Sequence, residues 1–248
     1  MLGDNHPGAA PVYTHKYAYR GLIPMHDAVA ALGEDYAMNG KMHLGKDGHI
    51  LTFPVQHGKV MNVVAFKTND NDWPDAKRMT LPATKEQATE DFKDFGPTIR
   101  KIIDMLDSDL DCWAIFDTAK DPMPAYNKGR VCVLGDAAHA TTPHHGAGAG
   151  MCIEDAAVMA DLLVDATSAK EFEAAFQAFS DCRKERTQWL VQSSRRTGDL
   201  YEWRAEGVAE DVEKIHRECK ERNDRIWNAQ VDEMIEEAKG CMATILRA

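Results

Sequence analysis

The sequence predicts an α/β chain whose first half is an α+β sheet region, and three observations predict it. Alternating apolar residues between positions 13 and 66 are broken by turn dipeptides, a nearly continuous apolar run fills residues 130–134, and helical spacing dominates from position 151 onward. The composition fits that class: of 248 residues, 44% are hydrophobic and 28% charged, which excludes collagen-like, low-complexity and disordered chains and suffices for a buried core. With 29 Lys+Arg against 40 Asp+Glu the net charge is −11, which argues against nucleic acid or an anionic membrane surface as partner. No run of about 18 apolar residues occurs, so no transmembrane helix is expected. The first seven residues lack the charged and apolar regions of a leader. Cysteines at 112, 132, 152, 182, 219 and 241 form no Cys-x-x-Cys pair, so free thiols in a reducing cytoplasm are expected.

Residues 13–23 alternate aromatic and apolar side chains with Lys16 and Arg20, as a strand does. Asp47-Gly48 separates residues 41–44 from 49–55, and His57-Gly58 separates the latter from 59–66, which predicts a three-stranded antiparallel meander. Residues 69–82, punctuated by Pro74 and Pro82, read as loop. Thr84 with Gln87 three positions later forms a capping-box pattern, followed by short helices at 85–95 and 97–106, the second opened by Pro97. Residues 112–117 form a strand, and Pro122 and Pro124 precede a change of character. The apolar run at 130–134, bounded by Gly129 and Gly135, predicts a strand buried on both faces of a mixed or parallel sheet. Ile153, Ala156, Ala157, Ala160 and Leu163 fit one face of a helix over 151–164, and charged helices follow from 169 to the end.

The chemistry is concentrated in Gly135-Asp-Ala-Ala-His-Ala-Thr-Thr-Pro-His-His-Gly-Ala-Gly-Ala-Gly150 and the Met151-Cys-Ile-Glu-Asp155 that follows. Asp136 stands just beyond the end of the expected strand, where open α/β sheets bind ligands. Gly146, Gly148 and Gly150 let a ligand approach the backbone, and the next helix turns free N–H groups and its positive dipole end toward the same place. The pattern suits a ligand that offers hydroxyls to a carboxylate and negative charge to a helix N-terminus. It is neither a dinucleotide fingerprint, because position 151 is Met where Gly-x-Gly-x-x-Gly needs glycine, nor a phosphate-binding Gly-Lys-Ser/Thr loop. Asp136, His139, His144 and His145 could also supply metal ligands, although adjacent histidines point in different directions.

The whole string resembles the second flavin-binding motif of the FAD-dependent aromatic hydroxylases, and of the salicylate hydroxylase-like flavoprotein monooxygenases in particular. Tyr19-Arg-Gly-Leu-Ile-Pro24, Gly48-His-Ile-Leu-Thr-Phe-Pro54 and Gly58-Lys-Val-Met-Asn-Val-Val-Ala65 resemble substrate-domain strands of that subgroup. The resemblance implies that Asp136 accepts hydrogen bonds from the FAD ribityl hydroxyls. It implies that the backbone at Gly148, Ala149, Gly150 and Met151 faces the pyrimidine side of the isoalloxazine, with Gly146 also among the cofactor-binding positions and Pro143 beside the reactive edge. It further implies hydride transfer from NADH or NADPH to FAD, activation of O2, and hydroxylation of a phenolic, salicylate-like aromatic acid. Arg20, His49, Phe53 and His144 are the substrate-facing candidates; no general base is assigned, with His49, His144 and His145 the titratable candidates. Met42, Met61, Met123 and Met151 either line an apolar pocket or fill the core.

By the same resemblance, residues 1–122 form a substrate-binding sheet region, 123–195 the C-terminal part of an FAD-binding domain and 196–248 a helical tail. The family's opening βαβ unit with Gly-x-Gly-x-x-Gly has no counterpart here, so the expectation is a partial, N-terminally truncated FAD-binding fold. Two readings follow: a flavin monooxygenase portion, or a remnant or interaction module that binds no FAD productively.

Overall fold

In the computed structural model, which describes residues 2, 3, 6–75 and 77–248, the chain groups into two compact units. One comprises residues 13–115 with 199–215, the other residues 1–12 with 116–198 and 216–248. Met1, Asp4 and Asn5, on which the absence of a leader was partly read, lie outside the described residues, as does Ala76. Among the described residues no helix is long and apolar enough to cross a membrane.

The sheet unit is built on the expected meander. Strands β1 (Val12–Pro24), β2 (Lys41–Gly45), β3 (Gly48–Val55) and β4 (Val60–Thr68) are joined by β5 (Thr80–Thr84) and β6 (Asp109–Asp117) in the order β2-β3-β4-β1-β6-β5. The first hairpin turns one residue earlier than its Asp-Gly signal suggests: Gly45 faces Gly48, and Lys46-Asp47 is the loop, with Asp47 at φ 58°. Gly48 is required for close approach, because a Cβ there would stand 2.9 Å from the Phe66 carbonyl oxygen.

Helices α1 (Met25–Leu32) and α2 (Glu34–Ala37) had no sequence signal; neither has a side-chain cap, and α2 is a single turn. Residues 80–82, read as the end of a loop because of Pro82, belong to the edge strand β5, where proline is tolerated because the missing N–H has no neighbour to bond. Helix α3 (Lys85–Asp91) starts with the predicted capping box, Gln87 N donating to Thr84 Oγ1 at 3.3 Å and Thr84 N to Gln87 Oε1 at 2.9 Å. Helix α4 (Pro97–Asp104) follows, and its Ile99, Ile102 and Ile103 pack with Phe92 against Tyr19, Ile50, Met61 and Val63 of the sheet. Asp91 at the end of α3 accepts from both Tyr17 and Tyr19 hydroxyls, at 2.6 and 2.7 Å.

The helical unit departs more from expectation. The run at 130–134 is not a buried strand: only β8 (Val131–Cys132) is extended, paired antiparallel with β7 (Asn127–Lys128), and Val131 is 56% exposed. Gly129 at φ 55° folds the chain back on itself, so the apolar run meets its own hairpin and no parallel neighbour among the described residues. Then come α5 (Asp136–His139), α6 (Gly148–Leu163), α7 (Ala169–Tyr201), α8 (Val212–Trp227) and α9 (Val231–Arg247). The α6 helix is where it was expected, but its buried stripe is Met151, Asp155, Val158, Met159 and Leu162, while Ile153 is 71% exposed. Two apolar stripes compete on this helix, and the inward one carries a carboxylate that hydrophobic spacing ignores. Tyr126, Phe179, Ala175 and Ala238 complete the core beside it.

Candidate functional site

Gly135 caps α5 with φ 60° and ψ −146°, a conformation that favours glycine, and a Cβ there would stand 3.1 Å from Cys152 Sγ. The start of α5 therefore lies against the first turns of α6. Asp136 is exposed and makes no ion pair or side-chain hydrogen bond among the described residues. Behind it the structure is dense in buried charge. Asp155 Oδ2 accepts from Gly135 N at 2.9 Å and from His139 Nε2 at 2.7 Å, while Oδ1 accepts from Arg183 Nε at 2.8 Å. Glu154 takes Arg183 Nη2 and Arg186 Nη2, each at 2.7 Å. Burial by itself would raise the Asp155 carboxyl, but the bonds from His139, Gly135 and Arg183 outweigh it and hold the group below the usual carboxylate range.

The loop between α5 and α6 contains a 3-10 turn, Pro143–His145, ended by Gly146 in the left-handed region at φ 63°. Ala147 then starts α6 without a side-chain cap, and no acidic residue stands in the first turn. The amides of Gly148, Ala149 and Gly150 consequently lack intrahelical acceptors, which leaves the positive end of the helix open to an anionic or carbonyl-rich ligand. A Cβ at Gly146 or Gly150 would meet nothing within 4 Å, so there is room for a ligand over this end. Asp136, Pro143, Gly146, Ala149 and Gly150 are all exposed and Gly148 is half-buried. Met151 differs from the others: its amide bonds Ala147 O at 3.1 Å, and its side chain is core beside Leu190 and Ile226. It offers the ligand neither a free N–H nor a surface. The exposed carboxylate, the open amides and the unfilled glycine positions fit the ribityl and ring-edge groups of FAD.

The histidines do not converge on Asp136. His139 is buried on Asp155. The His144 ring is buried and packs so tightly over α7 that a Cβ at Gly198 would come within 2.5 Å of it. His145 Nε2 lies 2.9 Å from Ser193 Oγ and 3.1 Å from Thr197 Oγ1, and burial together with the Arg222 charge pushes its pKa down to about 4. No cluster of three or more potential metal ligands occurs among the described residues.

In the sheet unit, the face away from α3 and α4 carries Arg20 opposite Val64, Val64 opposite Leu51, and Asn62 between Leu22 and Phe53. Arg20 lies 5.1 Å over the Trp113 ring and makes no ion pair among the described residues. Asn62 Nδ2 is buried there without a hydrogen-bond partner among the described residues. His49 shares this face with Leu51 and Phe53 but lies at the other end of β3: it is 1% exposed, stacked on Phe66 at 4.4 Å, and bonds Glu202 Oε1 through Nδ1 at 3.1 Å. Glu202 also takes Lys16 and the Thr68 hydroxyl, so His49 helps close a buried ion cluster at its end of the face. Asp155, Arg183, Asn62 and Trp113, which the fold brings beside the candidate positions, were not singled out from the sequence. Asp155 was within reach, since a carboxylate three positions before Val158 falls on the inward stripe of α6.

Known proteins place this geometry in context. The family described as FAD binding domain matches residues 43–194. The FAD-dependent monooxygenase orf3 of Aspergillus niger is 49% identical over 249 residues, covering 96% of this chain and 56% of that protein. The FAD-dependent monooxygenase pigN of Monascus ruber is 47% identical, covering 95% of this chain and 56% of that protein. A solved salicylate hydroxylase substrate complex superposes with a TM-score of 0.86 at 35% identity, covering 94% of this chain and 59% of that one. The chain thus spans little more than half the length of the curated relatives it matches, and the resemblance read from residues 135–155 is borne out.

Proposed function

The chain belongs to the FAD binding domain family, and from that premise we propose that it is a portion of an FAD-dependent monooxygenase that hydroxylates a small phenolic acid of salicylate type. NADH or NADPH serves as the hydride donor and O2 as the oxidant, in a cytoplasmic setting. The observation that carries this reading is the pairing of a free Asp136 carboxylate with the uncapped, glycine-lined start of α6. Asp136 accepts hydrogen bonds from the ribityl hydroxyls, and the amides of residues 148–150 favour negative charge at the ring edge. Bound FAD supplies the redox chemistry and the activation of oxygen; the protein supplies binding, orientation and exclusion of water.

Residues 123–195 serve as the flavin-binding part and the sheet as the substrate-binding part. Arg20, steadied by Trp113 and without an acidic partner among the described residues, suits the carboxylate of an aromatic acid. Leu51, Phe53 and Val64 offer apolar surface to its ring, and Asn62 a hydrogen-bond donor.

The test is flavin titration of the purified full chain, followed by visible absorbance and flavin fluorescence. Wild type should perturb the FAD spectrum, and Asp136→Asn should weaken binding by about tenfold or more, the worth of charge-assisted hydrogen bonds. A chain that leaves added FAD unperturbed would overturn the reading in favour of a remnant or interaction module.

A further inference from the structure

A one-turn helix cannot hold a ligand-binding carboxylate in place by itself. The α5 helix has four residues, no side-chain cap and a left-handed glycine at its start, and an isolated helix so short is unstable. Both of its ends nevertheless run to one group. Asp155 Oδ2 receives the Gly135 N–H at the beginning and the His139 ring N–H at the end, at 2.9 and 2.7 Å. An ionised carboxylate only accepts, so His139 carries its proton on Nε2 and donates. The other oxygen is held at 2.8 Å by Arg183 Nε, while Arg183 Nη2 is fixed by Glu154 at 2.7 Å and Nη1 rests 3.0 Å from Met234 Sδ. Asp155, His139 and Arg183 are at most 2% exposed, so these bonds act away from solvent and their geometry is stiff.

We propose that Asp155 is the positioning residue of the flavin-facing loop, fixing where the Asp136 carboxylate stands relative to the open amides of α6. Asp155 projects from α6 itself, two turns beyond Gly148. Its grip on α5 therefore joins the two groups that face the ligand, Asp136 and the amides of residues 148–150, into one frame. A ligand contacted at both places requires that separation to be set before it arrives, and a buried bidentate clamp sets it. Arg183 keeps Asp155 ionised and oriented, as outer partners orient the ligands of a metal. The inference rests on the flavin reading above.

Two measurements on the full chain separate the clamp from that reading. Amide hydrogen exchange compares wild type with Asp155→Asn. The substitution should release protection at residues 135–139 while the rest of α6 and all of α7 stay protected. FAD titration then completes a double-mutant cycle with Asp136→Asn. Asp155→Asn alone should weaken binding about tenfold, yet cost less than about twofold in the Asp136→Asn background, because it acts through Asp136. Fully additive losses would reduce Asp155 to a structural role and overturn the proposal, as would unchanged exchange at 135–139. If Asp155→Asn does not fold, His139→Gln removes one grip and leaves the Arg183 pair in place for the same cycle. Wild-type protein that ignores FAD but shows the exchange change overturns the flavin reading and the loop's purpose with it, while leaving the clamp itself standing.

Discussion

Each unit of the chain buries a histidine, a carboxylate and a cation together, and the two clusters are put to different uses. In the helical unit His139, Asp155 and Arg183 meet, and Asp155 spends one of its bonds on a backbone amide of the ligand-facing loop. In the sheet unit His49, Glu202 and Lys16 meet, and Glu202 spends its remaining bond on the Thr68 hydroxyl of β4, at 2.6 Å. The first cluster shapes a surface; the second ties a distant chain segment to the sheet, across 153 residues between His49 and Glu202. Similar chemistry gives different function because the last bond goes to different places. The cations differ too: the Arg183 guanidinium offers separate N–H groups to Asp155 and Glu154, whereas the Lys16 ammonium is a point charge shared by Glu202 and Asp199, the latter at 3.0 Å.

The largest effect is expected from breaking the first cluster. Arg183→Ala leaves Asp155 buried without its cation, while the half-buried Glu154 keeps Arg186, and the loss costs about 3–5 kcal/mol. Denaturant unfolding measures the loss, and hydrogen exchange locates it. Opening should concentrate at 135–139 and along α6 and α7 of the helical unit. Equal opening across β1–β4 would break the contrast between a cluster that serves its own loop and one that ties down the sheet.

Next comes acid. Burial would raise Glu202, but His49 and Lys16 bring it down to about 2, below its ordinary value of 4.5. A depressed carboxyl stabilises the fold fully above the unfolded value, and that stability is lost as pH falls from about 4.5 through about 2. The amount is on the order of 3 kcal/mol. Glu202→Gln should remove this contribution, so the variant is less stable at neutral pH and its stability changes less between pH 4.5 and 2. Asp155 is shifted in the same direction, so exchange at β3 and β4 must be read separately from exchange at 135–139. A Glu202→Gln variant with the full acid slope of wild type at β3 and β4 would show that the cluster carries no such linkage.

What was legible beforehand divides along the same line. Thr84 with Gln87, the turn dipeptides of the meander and the string from Gly135 to Gly150 are local, since each is a few residues whose chemistry is complete in the sequence. The pairs Asp155–Arg183, His49–Glu202 and Arg20–Trp113 are brought together only by folding, and no spacing rule announces them. On α6 the hydrophobic pattern favoured the wrong stripe because the inward face is completed by Asp155, whose burial makes sense only once Arg183 and His139 are in view. Pro82 and residues 130–134 misled for a related reason: whether a strand is an edge or a centre depends on neighbours that the strand's own residues do not name.

The smallest effect tests whether burial is what distinguishes the clusters. Thr84 is the last residue of β5 and the N-cap of α3, and both bonds of its capping box are solvent-exposed. Thr84→Ala removes one acceptor that water can partly replace, and Lys85 N keeps its bond to Ser108 O at 3.1 Å. The expected cost is about 1 kcal/mol, read from the denaturant midpoint with an unchanged slope. Gln87→Ala removes only the reciprocal bond and should cost less. A loss at Thr84 as large as that at Arg183 would mean that exposed neutral bonds weigh as much as buried charged ones in this chain, and the contrast between its local caps and its buried clusters would fail.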